Sequence, residues 1–383
     1  MGVGELVELS RRFGGDPEWV LAGGGNTSVK VDDLLYIKAS GYALASMTPD
    51  GLVAMRREEL QKIWGETYPA EVEPREEQAL ADLMNARHPD HGDKRPSVET
   101  LMHEALPFTY VIHTHPALVN GITCGGAGER AAQELFGHEA LWIPLVNPGY
   151  VLAVTVKRAV EEHKTRHGSA PAILLLQNHG LVVAADEPEE VIRLHDDVAG
   201  KVREHLSRLP DLSQPETNSR AAAELKADLT AVYPEARGAQ EAAATFRVNP
   251  EILRVVSDRH AYGLVAGPFS PDHIVYAGPE PPLIPRAADR EQQKREIADA
   301  FARHRKTFGI LPRALAVEGV GFFGVGPSES AAEKALLLFE DALKVSVYAE
   351  SFGGPRFMEE DQVAFIMSWE VEAYRAAVSG GGP

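Results

Sequence analysis

The stretch AILLLQNHGLVVAA, residues 172–185, decides the fold class of this chain. Its first apolar run has the length of a buried strand, and a second extended run follows directly after His179-Gly180. Pro188 stands where a first helical turn should begin, and residues 189–206 have the spacing of an amphipathic helix. Other strand-like runs alternate with helical stretches through the first half of the chain. The sequence therefore predicts an α/β fold of the α+β three-layer kind, with a central sheet and helices.

The composition changes after the first half of the chain. Three prolines punctuate a polar, alanine-rich region at residues 210–248, which predicts a helical connector between two units. A second α/β pattern begins near Asn249. We therefore expect one domain at residues 1–209 and a smaller α/β domain at residues 249–383.

The smaller domain is similar to a shortened repeat of the first. Residues 314–322, ALAVEGVGF, follow the pattern of residues 173–181, ILLLQNHGL, and residues 272–276 follow the pattern of residues 32–36. In this alignment Val320 replaces a histidine, and the stretch that carries the other candidate site residues has no counterpart. The repeat hypothesis predicts a degenerate copy without metal ligands; two unrelated units with the same strand, glycine and helix pattern are the alternative.

The charge balance excludes some classes of partner. The chain has 38 Lys and Arg against 56 Asp and Glu, a formal net charge of −18, whereas nucleic-acid-binding proteins need clustered basic residues. Its one cysteine, Cys124, excludes an internal disulfide and a multi-cysteine zinc site, so metal ligands must be His, Asp or Glu. The apolar runs are far shorter than the ~20 residues that span a bilayer, and the acidic first residues are not typical of a signal peptide. We expect a cytoplasmic protein without nucleic-acid or membrane partners.

The sharpest chemical motif is His113-Thr114-His115. Residues two apart on a strand point to the same face, so both imidazoles can share a zinc ion at ~2.0–2.1 Å from each nitrogen. His179, at the end of another predicted strand, would complete the three protein ligands of a catalytic zinc. A buried histidine satisfied by backbone hydrogen bonds is the alternative for His179.

Two further groups of residues point to the same region. Glu99 follows the helix-entry pattern Pro96-Ser97, where it can favour the helix dipole or face a metal as a ligand or proton-transferring base. His103, four residues later on the same helix face, is predicted to have a supporting or packing role. The small residues 23–28, GGGNTS, and 39–41, ASG, can expose backbone N–H groups to an anion, with plain tight turns as the alternative.

Five motifs together resemble the class II aldolase/adducin family, in particular its fuculose-phosphate and rhamnulose-phosphate aldolases. They cover about residues 1–205 and are Gly24–Ser28, Lys38–Gly41, Ser97-x-Glu99, His113–Pro116 and Asn178–Leu181. The total length and the phrase GPFSPDH, residues 267–273, are similar to the longer rhamnulose-phosphate aldolase unit that is elsewhere fused to a short-chain dehydrogenase.

This resemblance implies a role for each matched residue. Residues 1–209 would be a zinc-dependent catalytic domain, in which Glu99 is the catalytic glutamate and the metal ligands are His113, His115 and His179. The implied phosphate-binding residues are Gly25, Asn26, Ser40, Gly41 and Ser97. Val98 stands where fuculose-phosphate aldolases have a second serine, and Tyr150, after the helix-start pattern Pro148-Gly149, is a candidate for the family's tyrosine proton donor.

The implied activity is that of a metal-dependent aldehyde-lyase. It would cleave a ketose 1-phosphate of the rhamnulose or fuculose type into dihydroxyacetone phosphate and an aldehyde such as lactaldehyde. Zinc would act as a Lewis acid while Glu99 moves the proton at the reacting carbon. Sugar-phosphate epimerases or dehydratases of the same family, and a non-catalytic adducin-like scaffold, are the alternatives. Family members place active sites at subunit boundaries, which implies a homo-oligomer, a dimer or a tetramer.

Overall fold

The chain forms two compact units. The computed structural model describes residues 2–91, 94–214, 219–237 and 242–369. Among these, the first unit contains residues 2–123, 127–205 and 368–369, and the second contains residues 124–126 and 206–367 with the two gaps. Residues 210–248, expected to be a helical connector, supply a helix and a strand to the second unit. No described helix has both the length and the apolar character needed to cross a membrane.

The first unit is built on a seven-stranded sheet in the order β3-β2-β1-β4-β7-β6-β5, in which only β5 and β6 are parallel neighbours. Its strands are β1 (Asn26–Val31), β2 (Leu34–Lys38), β3 (Leu52–Arg56), β4 (Tyr110–Thr114), β5 (Ala140–Ile143), β6 (Ile173–Leu176) and β7 (Gly180–Ala185). Its helices are α1 (Val3–Gly14), α2 (Arg57–Ile63), α3 (Val72–Asn85), α4 (Thr100–Ala105), α5 (Ala117–Thr123), α6 (Gly128–Phe136), α7 (Tyr150–His167) and α8 (Pro188–Glu204). The predicted α/β class, a central sheet with helices, is confirmed.

The apolar stretch at residues 172–185 forms the two strands that its pattern predicts. Strands β6 and β7 are buried along their whole length and pair antiparallel, with Leu176 opposite Gly180. The three-residue turn between them contains Asn178 in the left-handed region, at φ 52°, which short polar side chains tolerate better than others. Helix α8 begins at Pro188, where a proline costs no hydrogen bond.

Strand β4 positions the site because it lies in the middle of the sheet. His113 pairs with Asn26 of β1 on one side and with Val182 of β7 on the other. All residues of β4 are buried. Since the chain cannot shift β4 without breaking both ladders, the residues at its end are held in fixed register.

The second unit is built on a four-stranded sheet in the order β8-β11-β10-β9. Its strands are β8 (Ala243–Arg247), β9 (Leu283–Ile284), β10 (Ala314–Val317) and β11 (Gly321–Gly326). Its helices are α9 (Ser219–Arg237), α10 (Pro250–Val256), α11 (Arg259–Gly263), α12 (Arg290–Phe308) and α13 (Glu329–Ala349), with α14 (Glu360–Ser368) ending at its boundary. Only β9 and β10 are parallel.

This smaller sheet repeats the strand pairing of β4-β7-β6-β5. Val317 lies opposite Gly321 across a three-residue turn, as Leu176 lies opposite Gly180. Ile284 pairs in parallel with Val317, as Ile143 pairs with Leu176. Equivalent positions in these three strands are 141 residues apart in the chain, as are the first residues of α8 and α13. The register of the pairing therefore supports the repeat hypothesis.

A buried polar contact is repeated at the same interval. In the first unit, His163 bonds the carbonyl oxygens of Ser169 at 3.1 Å and His138 at 3.0 Å. In the second, His304 bonds those of Ile310 at 2.9 Å and Pro279 at 2.8 Å. Each of the three residues in the second contact lies 141 residues after its counterpart in the first. Two unrelated units would have no reason to share such a contact.

One part of the predicted alignment is wrong, because the His-x-His segment does have a counterpart. Strand β8 pairs with β11 as β4 pairs with β7, which places Phe246 opposite Phe323 and His113 opposite Val182. By this register Phe246 and Val248 occupy the positions of the two histidines. The second unit therefore replaces the predicted triad with three apolar residues, the third being Val320.

The match of residues 272–276 to residues 32–36 is also wrong, because residues 34–36 belong to strand β2. His273–Ala277 form a π-helical turn instead. The Ile274 N–H donates to the carbonyl of Ser270 at 3.3 Å, and the Ser270 hydroxyl bonds His273 Nδ1 at 2.8 Å. These local bonds outweigh the β-propensity of the Ile-Val-Tyr run, since that propensity is only a weak preference.

Candidate metal centre

His113, His115 and His179 form a cluster at one end of the central strands. His113 Nε2 lies 2.9 Å from His115 Nε2 and 3.4 Å from His179 Nε2. His113 lies on β4, His115 directly follows it, and His179 closes the β6–β7 turn. Among the described residues this is the one group of three or more His, Cys, Asp or Glu side chains close enough to share a metal ion.

The protonation of His113 is set by its backbone neighbour. Its Nδ1 lies 2.9 Å from the carbonyl oxygen of Leu181, which can only accept a hydrogen bond. Nδ1 therefore carries the proton and Nε2 keeps its lone pair toward the other two imidazoles. Such an outer hydrogen bond orients metal-binding histidines in general.

Glu99 completes the set of donor atoms. It is the residue before α4, and its Oε1 lies 3.6 Å from His113 Nε2 and 3.5 Å from His179 Nε2. A tetrahedral zinc with bonds of ~2.0–2.2 Å separates its ligand atoms by about 3.3–3.6 Å. Glu99 Oε1 is buried and has no hydrogen-bond partner within the described residues. The separations among Glu99 Oε1, His113 Nε2 and His179 Nε2 therefore fit a divalent metal ion, whereas the 2.9 Å between the His113 and His115 nitrogens is shorter than the spacing of two ligands on one zinc.

The Glu99 carboxyl is ionised at neutral pH. Burial raises its pKa, but His113, His179 and the Asn26 amide together lower the pKa by more than burial raises it, to about 2. The Asn26 amide donates to Glu99 Oε2, so the two carboxylate oxygens have different partners. This geometry allows Glu99 to act as a metal ligand through Oε1 or as an acceptor of a proton.

The predicted phosphate-binding residues lie in two places. Gly25 and Asn26 precede and begin β1; Gly25 has φ 65°, and a Cβ there would lie 2.6 Å from the His113 carbonyl oxygen, so only glycine fits. Ser40 and Ser97 lie together beside the bridge between Ala39 and Pro96. The Ser40 and Ser97 backbone N–H groups donate to the carbonyls of Arg95 and Lys38. The Ser40 hydroxyl donates to the Pro96 carbonyl at 3.1 Å, and the Ser97 hydroxyl oxygen accepts the Glu99 N–H at 3.3 Å.

Tyr150, the candidate proton donor, is the first residue of α7 and packs edge-on against Tyr68 at 4.6 Å between ring centroids. Burial raises its pKa. These contacts do not link Tyr150 to the histidine cluster, and its role stays a prediction.

Two buried histidines near the cluster support it in different ways. His103, on α4, bonds the Ser28 hydroxyl through Nδ1 at 2.7 Å, in agreement with the supporting role that its position predicts. His195, on α8, packs against Phe13 and Trp19, and the Trp19 carbonyl accepts the His115 N–H at 3.0 Å. His195 could not be identified from the sequence, because a single histidine on a helix gives no signal of its own.

Stability is expected to fall in acid because of His195. Burial lowers the pKa of His195 to about 3, although the hydrogen bond to the Val191 carbonyl raises that pKa in part. A histidine in the unfolded chain has a pKa of ~6.5. Below ~6.5 the unfolded state binds a proton that the folded state does not, so the free energy of unfolding decreases with falling pH. At pH 5 the loss amounts to about 2 kcal/mol.

Denaturant titrations at pH 7 and pH 5 on metal-free protein measure this effect. A His195→Phe variant, which keeps the ring contacts, should lose about 2 kcal/mol less over this interval than the wild type. The exposed His205, replaced in the same way, serves as the control. Equal pH dependence in wild type and His195→Phe would contradict the prediction.

A metal content of about one equivalent per chain is expected. The first unit contains the triad, whereas the second has Phe246, Val248 and Val320 at the equivalent positions. Inductively coupled plasma mass spectrometry on protein purified without chelator measures the content. A stoichiometry near two would show that the second unit also binds metal.

The chain matches a known protein family and a curated relative. The family model described as "Class II Aldolase and Adducin N-terminal domain" matches residues 4–199. The uncharacterized oxidoreductase YuxG of Bacillus subtilis (strain 168) is 24% identical over 414 residues, which cover 99% of this chain and 58% of that protein. The chain thus spans less than two thirds of this curated relative.

Solved structures match about half of the chain. The N-terminal class II aldolase domain of a conserved Thermoplasma acidophilum protein is 24% identical, with a TM-score of 0.45 over 53% of this chain and 93% of that one. L-fuculose-1-phosphate aldolase from Thermus thermophilus is 18% identical, with a TM-score of 0.34 over 52% of this chain and 93% of that one.

Proposed function

Because the chain belongs to the class II aldolase and adducin family, we propose that it is a metal-dependent lyase that cleaves a ketose 1-phosphate. The proposed products are dihydroxyacetone phosphate and an aldehyde such as lactaldehyde. The observation that carries the proposal is the position of Glu99 Oε1, 3.6 Å and 3.5 Å from two imidazole nitrogens of the histidine cluster. A scaffold protein without chemistry gains nothing from burying a carboxylate there, since burial of a charge is costly.

The proposed metal is zinc, with His113, His115 and His179 as ligands. Three imidazoles with a fourth, exchangeable position are the usual donor set of catalytic zinc. When bound, the metal would polarise the carbonyl group of the substrate as a Lewis acid.

Glu99 is the proposed proton-transferring residue. In the cleavage direction it returns a proton to C3 after the C3–C4 bond breaks, and in the aldol direction it removes that proton from dihydroxyacetone phosphate. Its ionised state at neutral pH suits the second task. The substrate phosphate would lie against the five residues that the resemblance implies, Gly25, Asn26, Ser40, Gly41 and Ser97.

We also propose a cytoplasmic homo-oligomer, a dimer or a tetramer. The oligomeric state is proposed because family members place their active sites at subunit boundaries. Sedimentation equilibrium tests this point, and a fully active monomer would contradict it.

The activity is tested by incubating the zinc-loaded protein with a panel of ketose 1-phosphates and measuring release of dihydroxyacetone phosphate with a coupled dehydrogenase. We expect release from at least one member of the panel, and none after chelation of the metal. Conversion of substrate without that product would favour the epimerase or dehydratase alternative. Protein that neither binds metal nor converts any substrate would favour the adducin-like scaffold.

A further inference from the structure

Three polar residues on one face of β1 contact the segment that carries Glu99. Residues two apart on a strand share a face, and Asn26, Ser28 and Lys30 follow this spacing. The Asn26 amide bonds Glu99 Oε2, and the Ser28 hydroxyl bonds His103. We call these three side chains the β1 polar ladder.

Lys30 forms the last contact of the ladder. Its Nζ donates to the carbonyl oxygens of His103 at 3.0 Å, Leu106 at 2.6 Å and Phe108 at 2.9 Å. The His103 carbonyl lies in the last turn of α4, and the Leu106 carbonyl directly follows the helix. A cation is favourable at this end of a helix. The ladder therefore fixes both ends of α4, with Glu99 at the first end.

Asn26 and Ser28, with their partners Glu99 and His103, are buried, so the hydrogen bonds between them offset a cost of desolvation. Asn26 is 5% exposed, Ser28 and His103 are fully buried, and Glu99 is 7% exposed. Unpaired polar groups in such places cost about 1–3 kcal/mol each. On the opposite face of the same strand, Thr27 bonds Ser10 at 2.7 Å and takes no part in the ladder.

The Asn26 contact divides the Glu99 carboxylate into two unlike oxygens. Oε2 accepts from Asn26, while Oε1, which no described residue hydrogen-bonds, lies toward His113 and His179. A carboxylate can only accept, so the amide NH2 must face Glu99, and Asn26 Oδ1 is left buried without a partner in the described chain.

We propose that Asn26 is a positioning residue that presents a single oxygen of Glu99 to the metal and keeps the carboxylate from turning. This inference rests on the proposed function, and it differs from the phosphate-binding role that the resemblance implies for Asn26. The amide acts as a hydrogen-bond donor, and the remaining ladder holds the backbone of α4 in place.

Two substitutions separate a donor role from a packing role. Asn26→Ala removes the donor, whereas Asn26→Asp keeps the size but places a second carboxylate against Glu99 Oε2. A positioning role predicts that both weaken metal binding about 10–100-fold, the usual effect of losing an outer hydrogen bond to a ligand. A packing role predicts that Asn26→Asp behaves as the wild type. Thr27→Val, on the other face of β1, is the matched control.

The readouts are zinc affinity by chelator competition and the visible absorption of Co²⁺-substituted protein, which responds to coordination number. Both Asn26 variants should change the Co²⁺ spectrum, and Thr27→Val should not. Wild-type affinity and spectrum in Asn26→Ala, or in Asn26→Asp alone, would overturn the proposal. Neither readout involves a sugar phosphate, so failure of the lyase assay leaves this result standing.

A double-mutant cycle in metal-free protein tests the same contact without any metal. The unfolding free energies of Asn26→Ala, Glu99→Ala and the double variant should be clearly non-additive, because the two side chains contact each other. The Thr27→Val and Glu99→Ala pair should be additive. Additivity in the Asn26 cycle would overturn the proposal even if the protein bound no metal.

Discussion

Replacing Glu99 with glutamine is expected to lower kcat by ~10²–10⁴, the usual contribution of a positioned acid or base. Glutamine keeps the size of the side chain but cannot take up a proton at neutral pH. Because the Asn26 amide is a donor, the glutamine oxygen should turn toward it, with the glutamine NH2 group toward the imidazoles. Zinc affinity should fall as in the Asn26 variants, but metal content at saturating zinc should change little, since the three histidines remain.

The assay that isolates this step is exchange of the dihydroxyacetone-phosphate C3 proton with deuterated water. Glu104→Gln is the matched control, because Glu104 is a buried carboxylate on α4, the helix that Glu99 precedes, and pairs with Arg57 at 3.1 Å. That variant should lose stability yet exchange the proton normally. Normal exchange in Glu99→Gln would show that Glu99 is not the base, and loss of metal would identify it as an essential ligand instead.

Replacing any one of His113, His115 or His179 with alanine is expected to abolish both metal binding and activity. Each substitution removes one of three imidazoles, and with two ligands the content should fall below about a tenth of an equivalent per chain. Metal analysis after gel filtration measures the content, and the coupled assay measures turnover.

His163→Gln is the control for this set. His163 is buried in the first unit, but both its nitrogens bond backbone carbonyls. We expect this variant to be less stable and to keep its metal. Full metal content in any of the three alanine variants would remove that histidine from the ligand set.

The parts of the molecule that could be predicted from the sequence are those in which one local pattern dominates. The apolar runs at residues 172–185 define β6, β7 and the start of α8, because no competing signal interrupts them. His113 and His115 could be paired because the alternation of a strand fixes which side chains share a face.

The remaining features depend on pairing across the sheet, which no local pattern contains. The link between Asn26 and Glu99 spans 73 residues, so the role of the amide is invisible in the sequence. Strand β8 carries none of the histidines of β4, and only its register against β11 reveals the equivalence. The turn at residues 273–277 has strand-forming residues but is held by Ser270.

Because the strand pairing is repeated, the second unit is an internal reference for the folding free energy that the histidine cluster costs the first unit. Gly180 and Gly321 occupy equivalent positions; a Cβ at Gly180 would lie 2.8 Å from the His115 ring, and one at Gly321 would lie 2.7 Å from the Phe246 ring. The same backbone thus encloses imidazoles in one case and an aromatic hydrocarbon in the other. Exchanging equivalent residues around these glycines between the two units, His113 with Phe246 or His115 with Val248, would measure how much folding free energy the histidine cluster costs within a single polypeptide.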